Sequence, residues 1–131
     1  MTLRNRLAYL VPVLALAAAS PALAQAKAPA EVTAASIEKG KTIFTSSGFC
    51  YACHGANAEG TIGPKLVDHE FIHSKGSYPE IVDYIKKGVT KEESKSGIAM
   101  PPRGGSKITD EAVDLVAAYV WSISHGTVKG S

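Results

Sequence analysis

The only two cysteines of the chain stand in the run CYACH at positions 50–54, with two residues between them and His54 directly after the second. Two thiols and an imidazole this close in sequence confine the backbone to about one helical turn, and the rest of the fold has to be built around whatever they hold. Three chemistries use such a triplet. A redox dithiol needs a strand–helix setting that puts the first cysteine at a helix N-terminus. A structural zinc site usually takes four ligands, commonly with a second Cys/His pair a dozen or more residues away. Covalent haem attachment uses both thiols as thioether anchors and the adjacent histidine as an axial ligand.

The N-terminal sequence decides the compartment. Arg4 and Arg6 precede a charge-free apolar run over residues 7–19, and SPALA at 20–24 ends in a small-x-small triplet. This pattern predicts a secretory signal over residues 1–24, cleaved between Ala24 and Gln25. The alternative is an uncleaved membrane anchor, but Pro12 and Pro21 interrupt the segment and its apolar core is short. Export to the periplasm would put both thiols in an oxidising environment, where a free dithiol tends to close and a thioether survives.

Cleavage leaves 131 − 24 = 107 residues, enough for one modest core that a bound cofactor could help to build. It also removes Arg4 and Arg6, so 14 − 2 = 12 basic side chains face 12 acidic ones. No basic surplus remains to neutralise phosphates, which argues against nucleic acid as a partner.

Residues 25–35 read as a flexible lead-in rich in Ala and Pro, residues 36–126 as one domain, and 127–131 as a flexible tail. Ile37, Gly40 and Phe44 recur at helical spacing and predict a first helix within 33–47, stopped by Gly48. Ser77-Tyr78-Pro79-Glu80 has the form of a capping box, and Ile81, Val82 and Ile85 followed by Lys86-Lys87-Gly88 complete a middle helix. Thr109, Asp110 and Glu111 start a last helix along Val113, Val116, Val120 and Ile123, running to about Ser124. No stretch alternates long enough to argue for a strand, so the expected fold class is all-α, with long loops that wrap a large flat cofactor.

Nothing before Cys50 reads as the strand a dithiol needs, and no second cysteine pair supports zinc, although His69 and His73 are spaced like two zinc ligands. Motif and compartment together favour haem. With CYACH, Gly40 and Phe44 in the first helix, Gly63-Pro64 followed by Leu66, and Met100-Pro101-Pro102 before a final helix bearing Tyr119, the chain resembles class I monohaem c-type cytochromes. The small soluble bacterial ones with a Met-Pro-Pro loop are the most similar, and the resemblance runs over about residues 37–124.

The resemblance implies a cytochrome c fold of three main helices around one haem c. Cys50 and Cys53 would bind it covalently, His54 would be the proximal ligand, and the Pro64 carbonyl would accept the other ring N–H of His54. Met100, the only methionine left after cleavage, would be the sixth ligand, with His69 and His73 as rivals giving a bis-histidine site. Lys75, Tyr78 and Arg103 are the candidates for the haem propionates. In the family the first and last helices cross at a glycine with aromatic packing around it, which gives Gly40, Phe44, Val116 and Tyr119 a structural role. Trp121 is expected to be partly exposed or packed on a loop, and His125 solvated.

The implied activity is periplasmic single-electron transfer without enzymatic turnover of a small-molecule substrate, through transient contacts with a periplasmic dehydrogenase, a cytochrome complex or a terminal oxidase. Docking is expected near Ala52, Ala56 and residues 101–103. The alternatives are a haem-based sensor or weak peroxidase whose sixth ligand opens, and an electron-accepting subunit held on a periplasmic dehydrogenase.

Overall fold

The computed structural model describes residues 28–127, so the expected signal at 1–24 and positions 128–131 of the tail lie outside the described residues. Helix α1, Ala34–Phe44, starts two residues before the expected domain start. Thr33 caps it: its Oγ1 accepts from the Ser36 N–H at 3.1 Å, and Ser36 Oγ accepts from the Thr33 N–H at 2.8 Å. Two N–H groups with no helical partner are thereby satisfied, with serine in the place usually held by Glu or Gln.

After Gly48 the chain turns into α2, Tyr51–His54, a single turn with Cys50 at its N-cap. Helix α3, Tyr78–Lys87, begins at the expected capping box, where Glu80 accepts from both the backbone N–H and the hydroxyl of Ser77 at 3.0 and 2.6 Å. It ends at Gly88, whose φ of 72° suits a residue without Cβ. A 3₁₀ turn at Pro102–Gly105 leads to α4, Asp110–Ser124, capped by Thr109.

Helices α1 and α4 cross at Gly40. A Cβ there would overlap the Leu115 carbonyl oxygen and come within 2.9 Å of the Tyr119 Cβ. One turn further on, Phe44 and Tyr119 meet edge to face, with ring centroids 5.3 Å apart and an interplanar angle of 66°. Helix α3 packs on the other side of α4, where the Tyr78 hydroxyl donates to the Asp114 carbonyl at 3.1 Å. Lys86 and Arg103 both pair with Asp110; the Arg103 guanidinium, then Lys86, holds this carboxyl below its usual range.

Two expectations need correction. Trp121 is buried, at 3% exposure, which removes the partly exposed alternative, and His125 is half-buried, stacked on it with centroids 4.2 Å apart and planes 13° from parallel. The His125 Nδ1–H donates to the Trp121 carbonyl at 2.9 Å, and Phe71 packs against the His125 ring from the 66–76 loop. The physical reason is that residues 116–124 are all buried, so the second half of α4 has no solvent face. A valine stripe marks the face against one neighbour, whereas a helix enclosed by two helices and a loop is apolar on every side.

Candidate functional site

Cys50 is buried and Cys53 exposed, and both thiols are free. Burial pushes the Cys50 thiol up to about 11, opposite to the lowered value of a reactive dithiol. Among the described residues no three His, Cys, Asp or Glu side chains gather to form a zinc site. Both non-haem readings of the triplet thus lack their expected surroundings.

His54 is buried, and its Nδ1–H donates to the Pro64 carbonyl at 2.8 Å. The loop between them folds back on α2 to present that carbonyl. Gly60 N–H donates to the His54 carbonyl at 2.7 Å, Gly63 N–H to the Cys53 carbonyl at 2.8 Å, and Thr61 Oγ1 to the same Cys53 oxygen at 2.6 Å. Gly63 keeps the backbone close, since a Cβ there would sit 3.1 Å from the His54 Cε1. Burial lowers the His54 pKa, and the Pro64 hydrogen bond opposes this only in part, so the ring stays neutral with Nε2 carrying the lone pair.

Met100 arrives from the other end of the chain. Its N–H donates to the Val89 carbonyl at 2.9 Å and its carbonyl accepts from the Val89 N–H at 2.8 Å, an antiparallel pair immediately after α3. Gly88 makes room for it, because a Cβ there would overlap the Met100 carbonyl oxygen. The thioether side is therefore held by backbone bonds that its own loop sequence does not advertise.

These residues stand between two adjoining compartments of about 250 and 110 Å³, which share a wall and are treated together as the cavity. Cys50, His54, Pro64, Ile72, His73 and Met100 belong to the walls of both. Phe44, Leu66, Ile81, Ile85, Val116 and Val120 also line the larger compartment, together with Lys65, Asp68 and Glu70, and Cys53, Ile62, Ile98 and Pro101 line the smaller. An apolar chamber with two thiols at one edge, a neutral imidazole nitrogen and a thioether fits a haem, whose iron accepts this N/S pair.

His69 is exposed, stands T-shaped to the His125 ring and lines neither compartment. His73 lines both compartments. The propionate candidates are engaged elsewhere: Arg103 donates to the Ile108 carbonyl and to Asp110, and Tyr78 to Asp114. Lys75 is exposed, and none of the three lines either compartment. Sequence reasoning missed Tyr84, whose hydroxyl donates to the His73 carbonyl at 2.5 Å and ties the 66–76 loop to α3. Its only signal was a tyrosine on the apolar side of a predicted helix.

Residues 18–120 match the family model described as cytochrome c oxidase, cbb3-type, subunit III. The cbb3-type cytochrome c oxidase subunit CcoP of Rubrivivax gelatinosus is 33% identical over 118 residues, which cover 89% of this chain and 34% of that protein. The same subunit from Azospirillum brasilense is 29% identical over 100 residues, covering 71% and 30%. The chain thus spans about a third of the length of these curated relatives. In structure it is similar to cytochrome cL from Methylophaga aminisulfidivorans MPT, with a TM-score of 0.57 and 23% identity, over 72% of this chain and 57% of that one. At that identity the likeness bears on the fold.

Proposed function

Because this chain belongs to the family described as cytochrome c oxidase, cbb3-type, subunit III, and is a monohaem c-type cytochrome domain of all-α cytochrome c fold, we propose that it carries single electrons in the periplasm. In this reading one haem c is attached through Cys50 and Cys53, His54 and Met100 are its axial ligands, and Pro64 orients His54. The functional unit in this reading is the single domain that begins with α1 at Ala34, after removal of residues 1–24. Among the described residues no helix is long and apolar enough to cross a membrane.

The observation that carries the reading is the 2.8 Å hydrogen bond from His54 Nδ1 to Pro64, within a cavity whose walls also hold Met100 and both thiols. When bound, the haem supplies a reversible one-electron couple. His54 offers Nε2 as a lone pair with no proton to lose, because its proton sits on Nδ1 and points at Pro64. Met100 offers a thioether, which also carries no proton. Phe44, Leu66, Ile81, Ile85, Val116 and Val120 give the larger compartment an apolar wall, which against a bound haem would limit water and so reorganisation when charge changes. With His54 and Met100 both holding the haem, the chain would leave no position for a substrate, as suits a carrier.

The relatives are subunits of a terminal oxidase, so of the partners considered the oxidase has the most support, ahead of a dehydrogenase or another cytochrome complex. A potentiometric titration of the holoprotein is expected to follow a one-electron curve, and the reduced spectrum to stay unchanged under carbon monoxide. A carbon monoxide adduct of the native protein would favour the sensor or weak peroxidase instead.

A further inference from the structure

We propose that His73 is a reserve axial ligand, an imidazole kept in the cavity wall beside Met100 that takes the sixth position when the thioether is lost. The proposal rests on the reading of His54 and Met100 as the resting ligands. Of the four histidines, His54 is tied to Pro64, His69 is exposed beside His125, and His125 is stacked on Trp121. His73 alone joins His54 and Met100 in the walls of both compartments.

Helix α3 anchors His73 and Met100 together. Tyr84, in its last turn, holds the His73 carbonyl, and Val89, just beyond its end, holds Met100 by two backbone hydrogen bonds. The His73 backbone is therefore fixed next to the segment that presents the thioether. Its ring is not. It leans on the Tyr84 ring with centroids 6.0 Å apart and planes tilted by 39°, and among the described residues neither ring nitrogen is hydrogen-bonded. Rotation about its side-chain bonds breaks no hydrogen bond recorded among those residues; His73 also borders a separate groove at the end of α3, which it shares with Glu93.

Met100 is partly exposed at the end of a loop whose preceding residues 95–99 are exposed, which makes its thioether the target for oxidation by peroxide in this proposal. In that reaction one peroxide oxygen passes to sulfur and water leaves, and the soft thioether donor becomes a sulfoxide. An imidazole already in the wall then keeps the site closed to small ligands. Bis-histidine ligation also lowers the potential relative to His/Met.

The test compares ferric holoproteins by visible, near-infrared and electron paramagnetic resonance spectroscopy. With the wild type carrying a sulfur-to-iron band, Met100→Ala is expected to lose that band but remain low-spin. Met100→Ala/His73→Gln is expected to become high-spin, to bind carbon monoxide once reduced, and to return to low-spin on addition of imidazole. His69→Gln in the Met100→Ala background is expected to stay low-spin. A high-spin Met100→Ala protein, or a double variant still low-spin without imidazole, overturns the proposal while leaving Met100 as the resting ligand. A wild type without the sulfur band overturns the Met100 reading itself, and the reserve role with it. Where the double variant does not mature, peroxide treatment decides the question. Oxidised wild type should stay low-spin and oxidised His73→Gln turn high-spin, and the same spin state in both overturns the proposal.

Discussion

Gly40→Ala is expected to destabilise the protein by about 1–3 kcal/mol, and Gly40→Leu to prevent a stable holoprotein from accumulating. The sign of the alanine effect is informative. In the middle of an exposed helix Gly→Ala gains roughly 0.5–1 kcal/mol, because alanine loses less backbone entropy on folding. At Gly40 the added methyl would overlap the Leu115 carbonyl oxygen and press on the Tyr119 Cβ, and backbone cannot rotate away as a flexible side chain can. The helices must separate, which also parts the Phe44–Tyr119 contact and opens the inner wall of the cavity where Phe44 and Val116 stand. Urea unfolding of the holoprotein checks this. A midpoint higher for Gly40→Ala than for wild type would mean that the crossing is looser than described.

The second large effect concerns the thiols. Cys50→Ala/Cys53→Ala is expected to abolish covalent haem: no haem staining on a denaturing gel, and a protein mass equal to that of the mature polypeptide alone. Each single variant should keep one thioether and a reduced yield. The two positions should not be equal in thiol reactivity before attachment, because burial raises the Cys50 thiol to about 11 while Cys53 is exposed at the mouth of the cavity. Alkylation of the unloaded chain near neutral pH should therefore label Cys53 first. Haem that stays with the double variant through denaturation would exclude these residues as the anchors.

Much of this arrangement could be read from the chain because it depends on local chemistry. The caps at Ser77 and Thr109 are short-range hydrogen-bond patterns, and they start α3 and α4 where expected. Gly40, Phe44 and Tyr119 were legible through a family resemblance, and the crossing they were expected to form is present. The His54–Pro64 hydrogen bond was also anticipated, because the resemblance assigns the carbonyl of the Gly-Pro proline to the histidine of CYACH.

What escaped the sequence depends on contacts between distant segments. The Val89–Met100 pair is one residue on each side, too short to leave an alternating pattern, yet it fixes the methionine. Trp121 was read from its place beside the α4 stripe and His125 from lying just past the helix, and neither position reports a third neighbour; the 66–76 loop supplies it through Phe71, which packs on His125. Arg103 looked free to meet an anion, but its left-handed backbone, with φ of 55°, accompanies a guanidinium directed at Ile108 and Asp110. Tyr84 carried no sequence signal beyond its helical position, and its bond to His73 joins residues eleven apart.

The most direct test of the central claim is the absorption spectrum of the mature wild-type protein, oxidised and dithionite-reduced, purified from a bacterium with haem-attachment machinery. The account predicts sharp reduced bands of c type, together with a weak near-infrared sulfur-to-iron band in the oxidised form that disappears in Met100→Ala. A protein without haem absorbance, from a host that matures other c-type cytochromes, would contradict it.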